Sequence, residues 1–93
     1  MITKTLLENE VKKKIHEILL NDLDANLNPG DIKDDISLYE DGIGLDSISI
    51  VNLIVLIEST FTINLNEEDL NQELFSSINH LSKVICSKQP QVL

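Results

Sequence analysis

Ser47 lies in Gly44-Leu45-Asp46-Ser47-Ile48, between an acidic glycine-bearing stretch and the most apolar run of the chain. A hydroxyl in that setting has two chemical uses: it attacks a substrate, or it accepts a group that another protein brings. The first use needs a base to take the proton and a third group to orient that base. The chain holds only two histidines, His16 and His80, and each stands alone, far from the serine in sequence. Neither belongs to a block that supplies a base together with an oxyanion hole.

Other catalytic and metal chemistries fail on spacing. Gly-Leu-Asp-Ser shares letters with the Gly-Asp-Ser block of some esterases, but the rest of their motif is absent. Gly42 to Ser47 is not a phosphate-cradling loop, because no Gly-Lys-Ser/Thr follows a strand. A calcium loop counted from Asp31 would place Ile36 where glycine is needed and Gly42 where glutamate is needed. Counted from Asp35, it fails at Glu40. Cys86 is the only cysteine, which excludes an internal disulfide or a multi-cysteine zinc site and suits a reducing cytoplasm. The expectation is no catalytic residue, no metal site and no enzyme.

The bulk numbers agree with a small binding or carrying role. Ninety-three residues make one modest domain. Of these, 42% are hydrophobic and only 3% aromatic, so Leu, Ile and Val must build the core, a composition that favours helices. Sixteen acids against seven bases give a formal net charge of −9. That field repels phosphate backbones and anionic membranes and predicts no nucleic-acid partner. It favours partners with basic patches. The longest apolar run, Ile48 to Ile57, is half of what a membrane span needs. A cytoplasmic location and no membrane span are expected.

Local spacing sets the elements that must hold Ser47. Leu7, Val11, Ile15, Ile18 and Leu19 recur at helical intervals and predict a helix from Thr5 to about Leu20, with Lys12, Lys13 and Lys14 on its solvated face. Residues 21–46 carry eight acids, one lysine and two turn signals, Asn28-Pro29-Gly30 and Asp41-Gly42. Ile32, Ile36 and Leu38 are spaced through this segment, so it reads as a long loop pinned to the core. Residues 47–60 have the β-branched content of a strand, but they contain no breaker and start behind Asp46 or Ser47, both good N-caps. Read as a helix, they bury Ile50, Leu53, Ile54, Ile57 and Phe61. Ile48, Val51, Asn52, Val55 and Ser59 fall on the opposite face, where Ile48, Val51 and Val55 either meet the long loop or meet partners. A short helical turn is expected near Glu67 to Asn71. Ser76 or Ser77 then caps a last helix to about Ser87, with Ile78, Leu81, Val84 and Ile85 inward, and residues 88–93 form a flexible tail.

A serine at the mouth of a helix can also be modified, since the free N–H groups and dipole there suit a phosphate. Here the sequence resembles the acyl carrier protein family. The resemblance rests on Gly44-Leu45-Asp46-Ser47-Ile48, then Val51-Asn52-Leu53, then Leu56-Ile57-Glu58-Ser59-Thr60-Phe61-Thr62-Ile63. Leu38, Glu40-Asp41, Glu67-Glu68-Asp69 and Ile78 to Ile85 extend it over about residues 5–87. The resemblance implies an all-α, small antiparallel four-helix bundle, with a long loop between helices 1 and 2 and a short helix 3. It implies a single carrier domain over 1–87 and a monomer. Ser47 would receive 4′-phosphopantetheine from coenzyme A through a magnesium-dependent phosphopantetheinyl transferase that supplies both metal and base. The arm would then carry acyl groups as thioesters among an acyltransferase, a ketosynthase or an acyl-activating ligase. Asp46, Ile48, Val51, Asn52, Val55 and Glu58 would form the partner-recognition face. A peptidyl, aryl or D-alanyl carrier loaded by an adenylating enzyme is the alternative within the class.

Three departures from the family pattern stand out. Acids usual two and five residues after the serine are here Ser49 and Asn52, which weakens charge steering and favours a dedicated, specialised-pathway partner set over general fatty-acid synthesis. The loop Glu40 to Asp46 is one residue longer than the common form. Thr62 stands where many relatives have glycine.

Overall fold

The computed structural model describes residues 7–23 and 27–89. Among them it forms three α-helices: α1 (Glu8–Glu17), α2 (Ser47–Phe61) and α3 (Ile78–Lys88). The end of α1 continues as a π-helical turn, Ile18–Asp22, and Pro29–Asp31 makes one 3-10 turn. The described residues contain no strand, only an isolated bridge between Tyr39 and Leu45.

Each helix begins where a side chain satisfies its first free N–H groups. Glu10 accepts the Leu7 N–H at 3.1 Å, Asp46 caps α2 through the Ser49 N–H, and Ser77 caps α3 through the His80 N–H. Val11 and Ile15 of α1 and Ile18 and Leu19 of the π turn are buried, whereas Leu7, expected on the same stripe, is at the cap position and 71% exposed. In the π turn the Leu23 N–H reaches the Ile18 carbonyl at 2.8 Å, and Leu23 joins the core. On α2, Leu53, Ile57 and Phe61 are buried while Ile50 and Ile54 are half-buried; on α3, Ile78, Leu81 and Ile85 are buried and Val84 is half-buried. Ser82 is also buried, and its hydroxyl donates to the Ile78 carbonyl at 2.7 Å, so no polar group is stranded there.

α1 packs against α3, and the π turn packs against α2. The long loop is indeed fastened to this core. Ile32, Leu38, Ile43 and Leu45 are buried. The Leu38 N–H donates to the Phe75 carbonyl at 3.0 Å, and the Asn79 N–H to the Asp34 carbonyl at 2.9 Å. Asp34 Oδ1 also lies 2.7 Å from His16 Nε2, so one loop residue ties α1 to the start of α3.

The four-helix expectation needs correction. Residues 67–76 run as turns and bends, and no regular helix forms near Glu67 to Asn71. One turn is nucleated: Asp69 and Leu70 both donate to the Asn66 carbonyl, at 2.9 and 3.1 Å, and the Asp69 carboxylate accepts the Asn66 N–H. Propagation then stops at Asn71. Its side-chain amide takes the Glu68 carbonyl at 2.9 Å, the acceptor the next helical N–H would need, and its Oδ1 accepts the Glu73 N–H. A short asparagine side chain outcompetes the helical ladder here, as such side chains do. At the C-terminal end, α3 runs through Lys88, whose ammonium meets Asp69 at 2.6 Å, and Gln89 is buried. Thr5 and the remainder of the expected tail, 90–93, lie outside the described residues.

Candidate functional site

The approach to Ser47 is a tight reversal. Gly42 and Gly44 both donate to the Tyr39 carbonyl at 2.9 Å, Ile43 donates to the Ser37 carbonyl at 2.7 Å, and Leu45 to the Leu38 carbonyl at 3.1 Å. A side chain at Gly42 would collide with the Ser37 carbonyl, and Gly44 has φ +105°, which L-residues rarely adopt. These two glycines let the chain fold over itself and deliver Asp46 to the end of α2.

Asp46 is the N-cap of α2, and its Oδ1 accepts the Ser49 N–H at 2.8 Å. The Ser49 backbone N–H, and after it the Ser49 hydroxyl, hold the Asp46 carboxyl below the usual carboxylate range. Ser47 is the first residue of the helix and is exposed. Its hydroxyl therefore stands at the positive end of the α2 dipole, open to a reaction partner.

Beside Ser47 lies an open groove of about 600 Å³ whose lining includes Tyr39, Leu45, Ile50, Val51 and Gln72, with Glu40 and Asp41 among the residues around it. Tyr39 anchors this wall: its hydroxyl donates to the Gln72 carbonyl at 3.3 Å, and its ring meets Phe75 edge-on at 6.2 Å. Tyr39 and Gln72 were not singled out by sequence reasoning, because they meet across 33 positions; the one signal was an aromatic residue inside an otherwise acidic loop. A second groove, of about 390 Å³, opens on the side of the π turn and is lined by Asp22, Leu23, Ser49, Asn52, Val55 and Leu56.

The structure settles where the other named residues point. Ile48, Val51 and Val55 are 72%, 58% and 60% exposed, and Asn52 is exposed with them. They face outward rather than packing beneath the long loop. Glu58 does not join them freely, since its carboxylate accepts the Leu65 N–H at 2.8 Å. Neither histidine lines the groove beside Ser47. His16 is engaged with Asp34, and His80 lies in the first turn of α3. Cys86 is half-buried, and burial, together with the nearby Glu8 charge, raises its thiol pKa, which leaves it a poor nucleophile. Among the described residues no group of His, Cys, Asp and Glu is placed to hold a metal ion.

The described residues thus form a helical domain with the Ser47 hydroxyl exposed at a capped helix start and no histidine in the groove beside it. The chain matches the family model described as phosphopantetheine attachment site over residues 13–85, and it belongs to that family. No curated protein matches it. The domain is thus an attachment site for the 4′-phosphopantetheine prosthetic group, as the resemblance to acyl carrier proteins implies. Its role as a carrier entails contact with a phosphopantetheinyl transferase and with biosynthetic enzymes. Among the described residues no helix is long and apolar enough to cross a membrane.

The residues present fit the group. Ser47 would give an exposed oxygen for the phosphate, the first turn of α2 would give a favourable field, and the adjoining groove would offer an apolar wall along which an extended chain could lie.

Proposed function

We propose that Ser47 is the attachment residue and that the chain acts as an acyl carrier, not itself an enzyme, of a specialised biosynthetic pathway. Exposure of Ser47 at the first position of α2, inside the matched region, is the observation that carries this reading. The Ser47 hydroxyl forms a new bond to the phosphorus at the pantetheine end of coenzyme A's pyrophosphate. The bond to the adenosine 3′,5′-bisphosphate leaving group breaks, and the serine proton passes to a base on the transferase, which also holds the magnesium ion. The attached arm supplies a thiol that carries acyl groups as thioesters. Asp46 fixes the serine by capping the helix, while Ile48, Val51, Asn52 and Val55 present the outer face of α2 to partners. The weak charge of that face supports a dedicated partner set rather than general fatty-acid synthesis.

Intact mass before and after incubation with coenzyme A, magnesium and a broad-specificity transferase tests the reading. One phosphopantetheine on the parent and none on Ser47→Ala is the expected result. An unmodified parent beside an efficiently loaded control carrier would overturn it.

A further inference from the structure

The backbone carbonyl of Gln72 is free for a side chain because the segment around it is not a helix. In a helix running on past Asn71, this carbonyl would accept the Ser76 N–H one turn ahead. Here the Ser76 N–H goes to the Glu73 carbonyl at 3.0 Å, and the Gln72 carbonyl accepts the Tyr39 hydroxyl at 3.3 Å. That bond is longer than the roughly 2.5–3.0 Å of most O–H···O pairs, so it opens at little cost. The Tyr39 ring itself is braced edge-on by Phe75, which is buried.

This bond stands where two grooves meet. The groove beside Ser47 and a smaller one of about 280 Å³ have Tyr39, Asp41 and Gln72 in common. Beyond them the smaller groove runs on to Ser37, Glu73 and Ser76. The hydroxyls there are already engaged: Ser37 Oγ accepts the Tyr39 N–H at 3.1 Å, and Ser76 Oγ donates to the Glu73 carbonyl at 2.7 Å. An apolar chain laid over them would strand neither hydroxyl. With the Tyr39–Gln72 bond open, the two grooves make one trench leading away from Ser47. With it closed, the trench is barred at Tyr39.

Resting on the attachment reading above, we propose that the Tyr39–Gln72 bond is a bar that sets the length of acyl group this carrier can lay against its own surface. Tyr39 is then a specificity-determining residue for cargo. Short acyl groups end on the near side of the bar, and longer ones leave their ends in water. The bar is tied to the missing helix near Glu67, since a helix through Gln72 would take the carbonyl that Tyr39 uses.

The test is the melting temperature of the full chain loaded by a transferase from acetyl-, hexanoyl- and decanoyl-coenzyme A. Circular dichroism checks that each variant is folded. In the parent, Tm should rise from acetyl to hexanoyl cargo and then level off. Tyr39→Leu removes the ring and Tyr39→Phe only the bond; in both, decanoyl cargo should add about 4–8 °C over hexanoyl. Asn71→Ala frees the Glu68 carbonyl for the Gln72 N–H, lets the turn propagate, and should act as Tyr39→Phe does without altering the groove lining. Tyr39 is the only tyrosine and the chain has no tryptophan, so its emission reads the bar directly. In the parent that emission should change from acetyl to hexanoyl cargo and hold steady to decanoyl. A parent Tm that is flat across the series or still rising at its end, or variants that level off where the parent does, overturns the bar while loading of Ser47 stands. A parent that takes no arm at all overturns the attachment reading, and the bar with it.

Discussion

Glu58 and Leu65 are joined across a turn of the chain: the Glu58 carboxylate accepts the Leu65 N–H at 2.8 Å. The Glu58 carbonyl also receives the N–H groups of Thr62 and Ile63, the latter at 3.2 Å. Glu58 is the only charged residue of α2, and it is used to close the helix and hold the strap that follows. The outward face of α2 is left without a free charge of its own.

Glu58→Ala should lower unfolding stability by about 1–2 kcal/mol, the worth of a charge-assisted hydrogen bond to a half-buried amide. A denaturant titration reads the loss directly. KM for arm transfer should stay at the parent value below the melting range. A raised KM in folded protein would mean that Glu58 meets the partner after all.

Thr62 closes α2 in the left-handed region, at φ 54° and ψ 52°. A β-branched residue is strained there, and glycine is the usual occupant. Thr62→Gly should therefore raise stability by about 1 kcal/mol, or about 4–8 °C in Tm for a domain of this size. An unchanged or lower Tm would show that the entropy cost of glycine outweighs the strain relieved.

The two glycines before Ser47 make separable predictions. Gly42→Ala should cost about 1–3 kcal/mol, because the added carbon meets backbone rather than a movable side chain. Gly44→Ala meets nothing within 4 Å and should cost about 1–2 kcal/mol from its φ of +105° alone. Thermal melts of the two variants test this, and a neutral Gly42→Ala would contradict the reversal that delivers Asp46.

Two carboxylates link stability to acid. Asp46 is held low by Ser49, and Asp69 by the Lys88 ammonium and then the Asn66 N–H. A folded-state pKa below the unfolded value gives stability that is fully present above the unfolded pKa of about 4. It is lost as pH falls through the lowered folded value. Denaturant midpoints measured from neutral pH downward should fall in this window for the parent and fall less for Asp46→Asn and Asp69→Asn. Parallel curves for all three proteins would contradict it.

Much of the site is local and was legible in the residues. The turn signal before Ser47 and the two faces of α2 depend on neighbours within one or two helical turns, whereas the residues left the cap open between Asp46 and Ser47. Asp46 proved to be the cap because its carboxylate reaches the Ser49 N–H while Ser47 already has helical geometry. The β-branched run at 48–57 formed a helix despite its strand propensity, since Leu53, Ile57 and Phe61 bury one face together. Near Glu67 a single turn forms, as the local residues suggest, but the short third helix that the family resemblance implies does not, and the Asn71 side chain takes the Glu68 carbonyl that a continuing helix would offer to the Gln72 N–H.

Composition and short-range spacing thus determined the helical class, the exposed hydroxyl of Ser47 and the apolar stripe beyond it, because capping and amphipathic burial act over three or four residues. Tertiary structure decided what surrounds that stripe. Tyr39 meets Gln72, His16 meets Asp34, and Asp22 comes beside Val55 across gaps that no helical period spans. Those meetings follow from how α1, its π turn and the long loop pack around α2. Packing of that kind is a property of the whole buried core rather than of any one segment.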